Sequence, residues 1–316
     1  MGNTFVLKPS PMTPMTSLRI GEILADVFPA GVFNTVSGDD TAPFNVGSHL
    51  TVHKDVAKVS FTGSTRTGKK IYEAAGTDLK RVTLELGGND PAIVRPDVDI
   101  AEAAEGVFEA AFANTGQVCA AIKRVFVHED IYDDFVKEIT ANAAKAVTGD
   151  GFEQGTKYGP LNNKMQFDRV SELVADALAN GATATTGGQA VDGTKGYFFQ
   201  PTILTNVNDE MRVVKEEQFG PALPILPYKT DSEALARANA SEYGLSGSVW
   251  SKDEGKAVEM ANALEAGQIF TNSHGGRLDV PFGGFKQSGI GRVFGQGDID
   301  AFTETQTLQI KLPAKL

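Results

Sequence analysis

The sequence predicts an α/β fold in which helices alternate with the strands of a parallel sheet. In the first 86 residues, four short β-rich segments are separated by stretches with helical spacing. Glycine or proline interrupts most of these segments, as is typical where strands and helices end. The 316 residues, of which 41% are hydrophobic, are enough for about two domains and a sizeable core. On sheets of this class, ligands bind at the carboxyl ends of the strands.

The predicted elements of the first region start with a strand and alternate in type. Strands are predicted at residues 4–8, 32–36, 56–61 and 81–86. A helix starts at Pro14 with Thr13 as its N-cap, and two more are predicted near 42–50 and 65–75. The first helix is predicted to have one apolar face, formed by Ile20, Ile23, Leu24, Val27 and Phe28.

A second αβ region follows. Helical spacing predicts helices at 100–113 and 164–179, and a third along Ile131, Phe135, Ile139 and Ala143, after a strand at 124–127. Near the end of the chain, the apolar residues Leu308, Ile310 and Leu312 alternate with polar ones. This alternation predicts a terminal strand that could pair with another subunit.

Composition argues against several classes of protein. The net charge is −11 and no basic stripe offsets it, so a nucleic-acid partner is not expected. No apolar run approaches the length of a membrane span. The single cysteine, Cys119, excludes an internal disulfide and fits a reducing compartment, so we expect a cytoplasmic protein. One cysteine and four scattered histidines lack the spacing of metal ligands, so no metal site is expected.

A glycine-containing segment, 63–70, follows a predicted strand and opens a helix. Its glycines and the helix N-terminus could approach a phosphate. The spacing is close to that of a P-loop, but Lys70 stands where a P-loop needs Ser or Thr to hold Mg²⁺. An NTPase is therefore not expected, and the segment alone indicates only a tight strand–helix turn.

Two residues with catalytic side chains each have a plain structural alternative. Glu85 lies at the end of a predicted parallel strand, where a carboxylate is well placed for base chemistry, but such a residue is often a solvated charge. Cys119 lies between an apolar helix and a strand, and a lone cysteine is usually a small buried hydrophobe. The residues alone leave both alternatives open.

Six segments together resemble the aldehyde dehydrogenase superfamily in order and in spacing. They are residues 7–10, 61–64, 84–88, 116–119, 217–221 and 281–284. The segments that contain Glu85 and Cys119, 34 positions apart, are the most specific. The resemblance implies an α/β protein with a partial Rossmann-like cofactor domain at 1–86 and an αβ catalytic domain at 87–287. Residues 288–316 would form a C-terminal return segment and an arm with an oligomerisation strand.

The resemblance also implies an activity and residue roles. The activity is the oxidation of an aldehyde to a carboxylic acid with NAD or NADP, in a homo-oligomer that is a dimer or a tetramer. Cys119 resembles the nucleophile, which forms a thiohemiacetal and then a thioester, and Glu85 resembles the base for deacylation. Asn272 matches an asparagine that lines the active site. The cofactor contacts would be Lys8, Gly63, Ser64, Gly68, Glu217 and Phe219.

A structural ion network is also implied, in which Glu304 pairs with Arg81 and Arg292.

Two positions depart from the family pattern. Pro11 stands where many NAD-using members carry a ribose-binding glutamate, so the choice between NAD and NADP stays open. Val293 replaces a glutamate proposed as a proton relay.

The family's N-terminal part, with its oxyanion-hole asparagine, has no counterpart in this sequence. One alternative is therefore a truncated, catalytically weak or silent fragment that binds nucleotide or pairs with a full-length relative. Another is a thiol esterase that uses Cys119 without a cofactor. Under the leading hypothesis, nearby charges and dipoles should lower the pKa of the Cys119 thiol.

Overall fold

The computed structural model describes residues 1–39 and 44–311. In the described residues, the first region contains four strands that alternate with three helices. Its elements are β1 (Phe5–Leu7), α1 (Pro14–Ala25), β2 (Phe33–Thr35), α2 (Val46–Val52), β3 (Lys58–Thr62), α3 (Thr65–Gly76) and β4 (Arg81–Glu85). β1 pairs with β2 and β3 pairs with β4, both in parallel, so the predicted parallel pairing is present in two separate small sheets.

The second region is built around one large sheet. Its elements are β5 (Asp90–Val94), α4 (Ile100–Phe112), β6 (Ile122–His128), α5 (Tyr132–Ala144), α6 (Lys164–Ala179), β7 (Thr183–Thr186), β8 (Thr202–Thr205), α7 (Arg212–Lys215), β9 (Ala222–Tyr228), α8 (Asp231–Asn239), β10 (Tyr243–Gly244), β11 (Ser246–Trp250), α9 (Glu254–Asn262), β12 (Gln268–Thr271), β13 (Phe285–Lys286), β14 (Gly289–Ile290) and α10 (Gly295–Ala301). Seven strands pair in the order β12-β11-β5-β6-β9-β8-β7, and all neighbours are parallel except β7 and β8.

Helices cover both faces of the seven-stranded sheet. α4 and α5 pack on one face through side chains such as Val107, Phe108 and Phe135. α6, α8 and α9 contribute Ala177, Ala234 and Met260 to the cluster on the other face. Because both faces are covered, β5 is buried along its whole length and β6 is buried up to His128, as is typical of parallel sheets.

The predicted apolar face of α1 is not buried. Ile20 is 44% exposed, Ile23 is 53% exposed, and no residue of α1 is buried. Among the described residues, the main contact of the helix is with β2 of the two-stranded β1–β2 sheet, and this sheet is too small to cover it. Thr13 takes the N-cap position as predicted, but its side chain makes no capping hydrogen bond.

The C-terminal segment crosses back to the first region. β14 pairs antiparallel with β4, so the chain returns to the strand that carries Glu85. The described part of the predicted terminal strand has no regular secondary structure, and Leu308 and Ile310 are exposed. Leu312 lies outside the described residues, as does the start of the helix predicted near 42–50. Pairing with another subunit therefore stays a prediction.

Among the residues at 1–39 and 44–311, no helix is long and apolar enough to cross a membrane. The division into three domains at residues 86 and 287 stays a prediction. The return of β14 to β4 ties the predicted C-terminal segment to the predicted cofactor domain.

Candidate active site

A strained turn places Cys119 three residues before β6. After α4, a 3₁₀ turn runs from Ala113 to Gly116, and its last three residues have positive φ values, 73° at Gly116. A Cβ on Gly116 would lie 2.4 Å from the carbonyl oxygen of Gly220. Only glycine fits here, because both the backbone conformation and the close approach exclude a side chain. The turn thus brings the segment before Cys119 against the 217–221 segment.

Side-chain hydrogen bonds hold the segment before Cys119. The Gln117 amide donates to the carbonyl of Asn114 at 3.2 Å and accepts from the backbone N–H of Asn162 at 2.8 Å. The Thr115 hydroxyl donates to the carbonyl of Gly159 at 3.1 Å. These bonds fix the loop from both sides, which is what a positioned nucleophile needs.

Lys123 is a functional candidate that the sequence analysis did not single out. Its side chain is 3% exposed, and its ammonium donates to the carbonyl oxygens of Val118 at 2.9 Å and Cys119 at 2.6 Å. It also lies 3.6 Å from Oε1 of Glu217. The sequence signal was weak, because Lys123 stands beside Arg124 at the start of strand β6, and two adjacent charged residues usually indicate a solvated strand end.

In this structure, the pKa of the Cys119 thiol is raised above the usual value for a cysteine. Burial raises the pKa, Lys123 lowers it, and the carboxylates of Asp90 and Glu217 raise it further. The backbone N–H of Ala120 hydrogen-bonds the sulfur and lowers the pKa. The expected lowering of the thiol pKa is therefore wrong for this state, because burial outweighs the cation.

Glu85 is a buried carboxylate at the end of β4. It is 4% exposed, and neither of its oxygens has a hydrogen-bond partner among the described residues. Burial raises the pKa of Glu85 to about 7; Arg292 opposes this shift and Asp298 adds to it. A Cβ on Gly283 would lie 2.7 Å from Oε1 of Glu85, so the carboxylate packs against the 281–284 segment. A carboxyl group that titrates near neutral pH is suited to proton transfer.

Two glycines after Glu85 bring the candidate residues together. A Cβ on Gly88 would lie 2.5 Å from the carbonyl oxygen of Cys119, so the two main chains are in direct contact. The backbone N–H of Gly88 donates to Oε1 of Glu217 at 3.0 Å. A Cβ on Gly87 would lie 2.6 Å from Oε2 of Glu217. The side chains of Glu85 and Cys119 do not hydrogen-bond each other, but their segments meet at Gly88.

The glycine-containing turn adjoins the same strand. The backbone N–H of Gly63 donates to the carbonyl of Glu85 at 3.1 Å. Ser64 caps α3, with its hydroxyl accepting from the N–H of Thr67 at 3.2 Å. A Cβ on Gly68 would lie 2.4 Å from Leu86, so this glycine allows α3 to pack closely on the chain that leaves β4. The N-terminus of α3 therefore lies near the end of β4.

Other predicted site residues are placed less centrally. The Lys8 ammonium donates to the carbonyl of Pro9 at 2.9 Å, and its stem packs against Gly47 of α2. The carbonyl of Phe219, whose φ is 49°, accepts from the amide of Gln166 at 2.9 Å.

Asn272 follows β12, and both polar atoms of its amide side chain bond to the main chain of Ser251 at 2.8 Å. This side chain holds the end of β11 in the structure, and its contact with substrate stays a prediction.

The sequence analysis also did not single out a group of buried, hydrogen-bonded polar side chains near Cys119. Asp90 is fully buried, and burial raises its pKa to about 6 against the opposing effects of Lys123 and Ser246. The Ser246 hydroxyl donates to Asp90 and lies 3.3 Å from Nε2 of His274. Nε2 of His274 is 2.9 Å from the carbonyl of Ala120, and burial lowers the pKa of this histidine to about 4. No sequence spacing could have linked these residues, because they come from three distant segments.

The predicted ion network is present in part. Arg81 forms an ion pair with Glu304 and also donates to the carbonyl of Thr303. Arg292 instead donates to the carbonyls of Gly284 at 3.2 Å and Gly291 at 2.7 Å. In the described part of the chain, no group of three or more His, Cys, Asp or Glu residues could hold a metal ion.

Comparison with known proteins agrees with this arrangement. A family model described as the aldehyde dehydrogenase family matches residues 1–308. Aldehyde dehydrogenase 1A1 of Gallus gallus is 44% identical over 317 residues, which cover 99% of this chain and 62% of that protein. Retinaldehyde dehydrogenase 3 of Homo sapiens is 43% identical, with 99% and 61% covered.

Solved structures show the same relationship. An NAD-dependent aldehyde dehydrogenase from Sinorhizobium meliloti superposes with a TM-score of 0.95 at 36% identity, covering 99% of this chain and 62% of that one. Betaine aldehyde dehydrogenase from Staphylococcus aureus, in complex with NAD⁺, has a TM-score of 0.91 at 38% identity, with 95% and 60% covered. The chain thus spans about three fifths of the length of these relatives. Over that span, the chain belongs to the aldehyde dehydrogenase family.

Proposed function

We propose that this chain carries the catalytic part of an enzyme that oxidises an aldehyde to a carboxylic acid with NAD⁺ or NADP⁺. The main observation behind the proposal is that Gly88, three residues after Glu85, contacts both the main chain of Cys119 and the carboxylate of Glu217. Family membership supports the same chemistry. Overall, aldehyde, water and oxidised nucleotide would give acid, reduced nucleotide and a proton.

Cys119 would act as the nucleophile. Its sulfur attacks the aldehyde carbon and forms a thiohemiacetal, whose oxyanion needs a hydrogen-bond donor. A bound nicotinamide supplies the acceptor for the hydride that leaves this carbon. The resulting thioester remains on Cys119, and the loop contacts of Gln117 and Lys123 keep it in place.

Glu85 would act as the general base for hydrolysis of the thioester. It takes a proton from water, the water oxygen attacks the thioester carbon, and the carbon–sulfur bond breaks to release the acid. Its raised pKa of about 7 fits this task, because the group can bind and release a proton near neutral pH. Neither oxygen has a hydrogen-bond partner among the described residues, so a water molecule that entered the site could bond to either of them.

The described residues fit a dinucleotide. The turn at Gly63 and Ser64 ends at the N-terminus of α3, a 12-residue helix whose first backbone amides suit a phosphate. Glu217 lies beside Gly87 and Gly88, where a Cβ would occupy the space next to its carboxylate. We propose that Glu217 binds ribose hydroxyls and that Phe219 packs beside the nicotinamide. The S. aureus relative was solved in complex with NAD⁺, which supports a nicotinamide dinucleotide as the cofactor.

The test is a pair of variants in the purified protein. Each is incubated with a panel of aldehydes and NAD⁺ or NADP⁺, and nucleotide reduction is followed by absorbance. We expect Cys119→Ala to abolish reduction. Glu85→Gln should keep a first-turnover burst while steady turnover falls roughly 10²- to 10⁴-fold. Turnover by Cys119→Ala equal to that of wild type would exclude the proposal.

A second candidate is a catalytically weak or silent chain that pairs with a full-length relative. The exposed apolar side chains of α1 favour it, since such a face suits a protein partner. The same assay separates the two functions, because a silent chain would show no burst with any aldehyde. We also propose that the chain forms a homo-oligomer, and light scattering of the purified protein would test this.

A further inference from the structure

Lys123 links two parts of the site that are otherwise separate. Its ammonium contacts the carbonyls of Val118 and Cys119, and a third carbonyl, that of Ala121, lies at 3.4 Å. On its other side, Oε1 of Glu217 is 3.6 Å away. The lysine therefore lies between the main chain of the nucleophile and the carboxylate that we assign to the cofactor.

A role as a simple counterion does not account for these contacts. Asp90 and Glu217 both interact with Lys123, and a buried cation between two carboxylates would satisfy charge alone. However, the shortest bond of the ammonium is to the carbonyl of Cys119, at 2.6 Å. An ammonium has three donors in a compact group, so it can hold several carbonyls at one point. The loop that carries the sulfur is thus shaped around this cation.

We propose that Lys123 is a positioning residue that orients Cys119 and couples it to occupancy of the Glu217 carboxylate. The inference rests on the proposed function only for its second half, the coupling. When Glu217 binds another group, its attraction for Lys123 changes, and the ammonium redistributes its hydrogen bonds among the loop carbonyls. Lys123 thereby transmits binding at Glu217 to the nucleophile without contacting substrate.

The charges around the sulfur also favour this role. Asp90 and Glu217 both raise the pKa of the Cys119 thiol, and Lys123 is the cation that lowers it. His274, which bonds the next carbonyl, that of Ala120, stays neutral because burial lowers its pKa to about 4. Removing Lys123 would therefore leave the thiol facing two carboxylates without an opposing cation.

The test measures alkylation of Cys119 by iodoacetamide across pH, with and without NAD⁺. The protein has one cysteine, so the rate reports this residue alone. The variants are Lys123→Met and a matched control, Lys80→Met. Lys80 also donates to main-chain carbonyls, those of His53 and Val56, but belongs to another part of the fold.

Without nucleotide, we expect Lys123→Met to shift the alkylation profile to higher pH and to slow the reaction about 10-fold or more at neutral pH. With saturating NAD⁺, the wild-type rate should change, and this change should vanish in Lys123→Met. Lys80→Met should keep both the profile and the response. A profile and a response in folded Lys123→Met that match those of wild type would overturn the inference.

A second variant keeps the test decisive if Lys123→Met does not fold. Lys123→Arg keeps the charge but spreads its donors over a planar fork, so it should alter the response to NAD⁺ more than the pH profile. An undiminished response in this variant would overturn the coupling. Absence of any NAD⁺ response in wild type would count against the proposed function, and the nucleotide-free profile would still decide whether Lys123 positions Cys119.

Discussion

Replacing Glu85 by glutamine should stabilise the protein at alkaline pH while it slows catalysis. Glu85 is 4% exposed and both its oxygens lack partners among the described residues, so its ionised form is poorly solvated in the folded state. The amide of glutamine stays neutral at every pH and avoids this cost. The same change removes the group proposed to activate water, so stability and turnover should move in opposite directions.

The magnitude follows from the pKa of Glu85, which burial raises from 4.5 to about 7. Because the folded-state pKa is the higher one, the contribution of Glu85 to stability is fully present below pH 4.5. It is lost as the pH rises through about 7. The complete loss corresponds to roughly 3 kcal/mol. Between pH 5 and pH 8.5, the difference in unfolding free energy between Glu85→Gln and wild type should therefore grow by roughly 2–3 kcal/mol.

The assay is urea denaturation of both proteins at several pH values. Comparing the change with pH, rather than one value, cancels any fixed cost of burying the amide. Glu153→Gln is the matched control, since Glu153 is exposed in a surface loop, and its difference from wild type should stay constant. A constant difference for Glu85→Gln across this range would refute the view that Glu85 is buried with a raised pKa.

Three further predictions concern the packing of the site. Gly88→Ala should lower turnover about 10²-fold. The new Cβ would lie 2.5 Å from the carbonyl oxygen of Cys119 and would displace it. Rapid-quench assays of the variant and the wild type would check this. Gly116→Ala should cost at least about 1–3 kcal/mol in urea denaturation, since it combines a positive φ with a clash against Gly220. The ring of His274 should show no titration by NMR between about pH 5 and 8, because burial lowers its pKa to about 4; a midpoint in that range would contradict its burial.

Elements with regular spacing of apolar residues, or with a glycine or proline at their ends, were predictable from the sequence. The helix predicted at 164–179 coincides with α6, and the turn at Gly63 does open α3. β5 and β11 were not predicted. Both are buried along their whole length, so they lack the alternation of a strand with one solvated face, and β11 contains polar residues that pair inside the protein. α1 begins at Pro14 as predicted, but it ends at Ala25. Val27 and Phe28 of the predicted apolar face therefore lie beyond the helix, and no residue of that face is buried.

The candidate site was predictable only where a family motif marks it. Cys119 and Glu85 have no distinguishing local pattern, and their plain structural alternatives could be set aside only through the resemblance. Lys123 and Asp90 belong to no such motif, and a charged residue near a strand end usually indicates a solvated position. Their burial becomes visible only when β5, β6 and the segment of Glu217 are placed side by side. Tertiary structure, not sequence spacing, creates this cluster.

The position of Glu85 depends on main-chain contacts from distant segments. The N–H of Gly63 bonds the carbonyl of Glu85, and Gly289 of β14 pairs opposite it. A Cβ on Gly289 would lie 1.9 Å from the carbonyl of Leu84, so only glycine allows this strand to approach. The backbone of Glu85 is therefore fixed on both sides, while its carboxylate has no hydrogen-bond partner among the described residues. Such an arrangement separates the two requirements of a general base, because orientation comes from the main chain and the side chain keeps its capacity to exchange a proton.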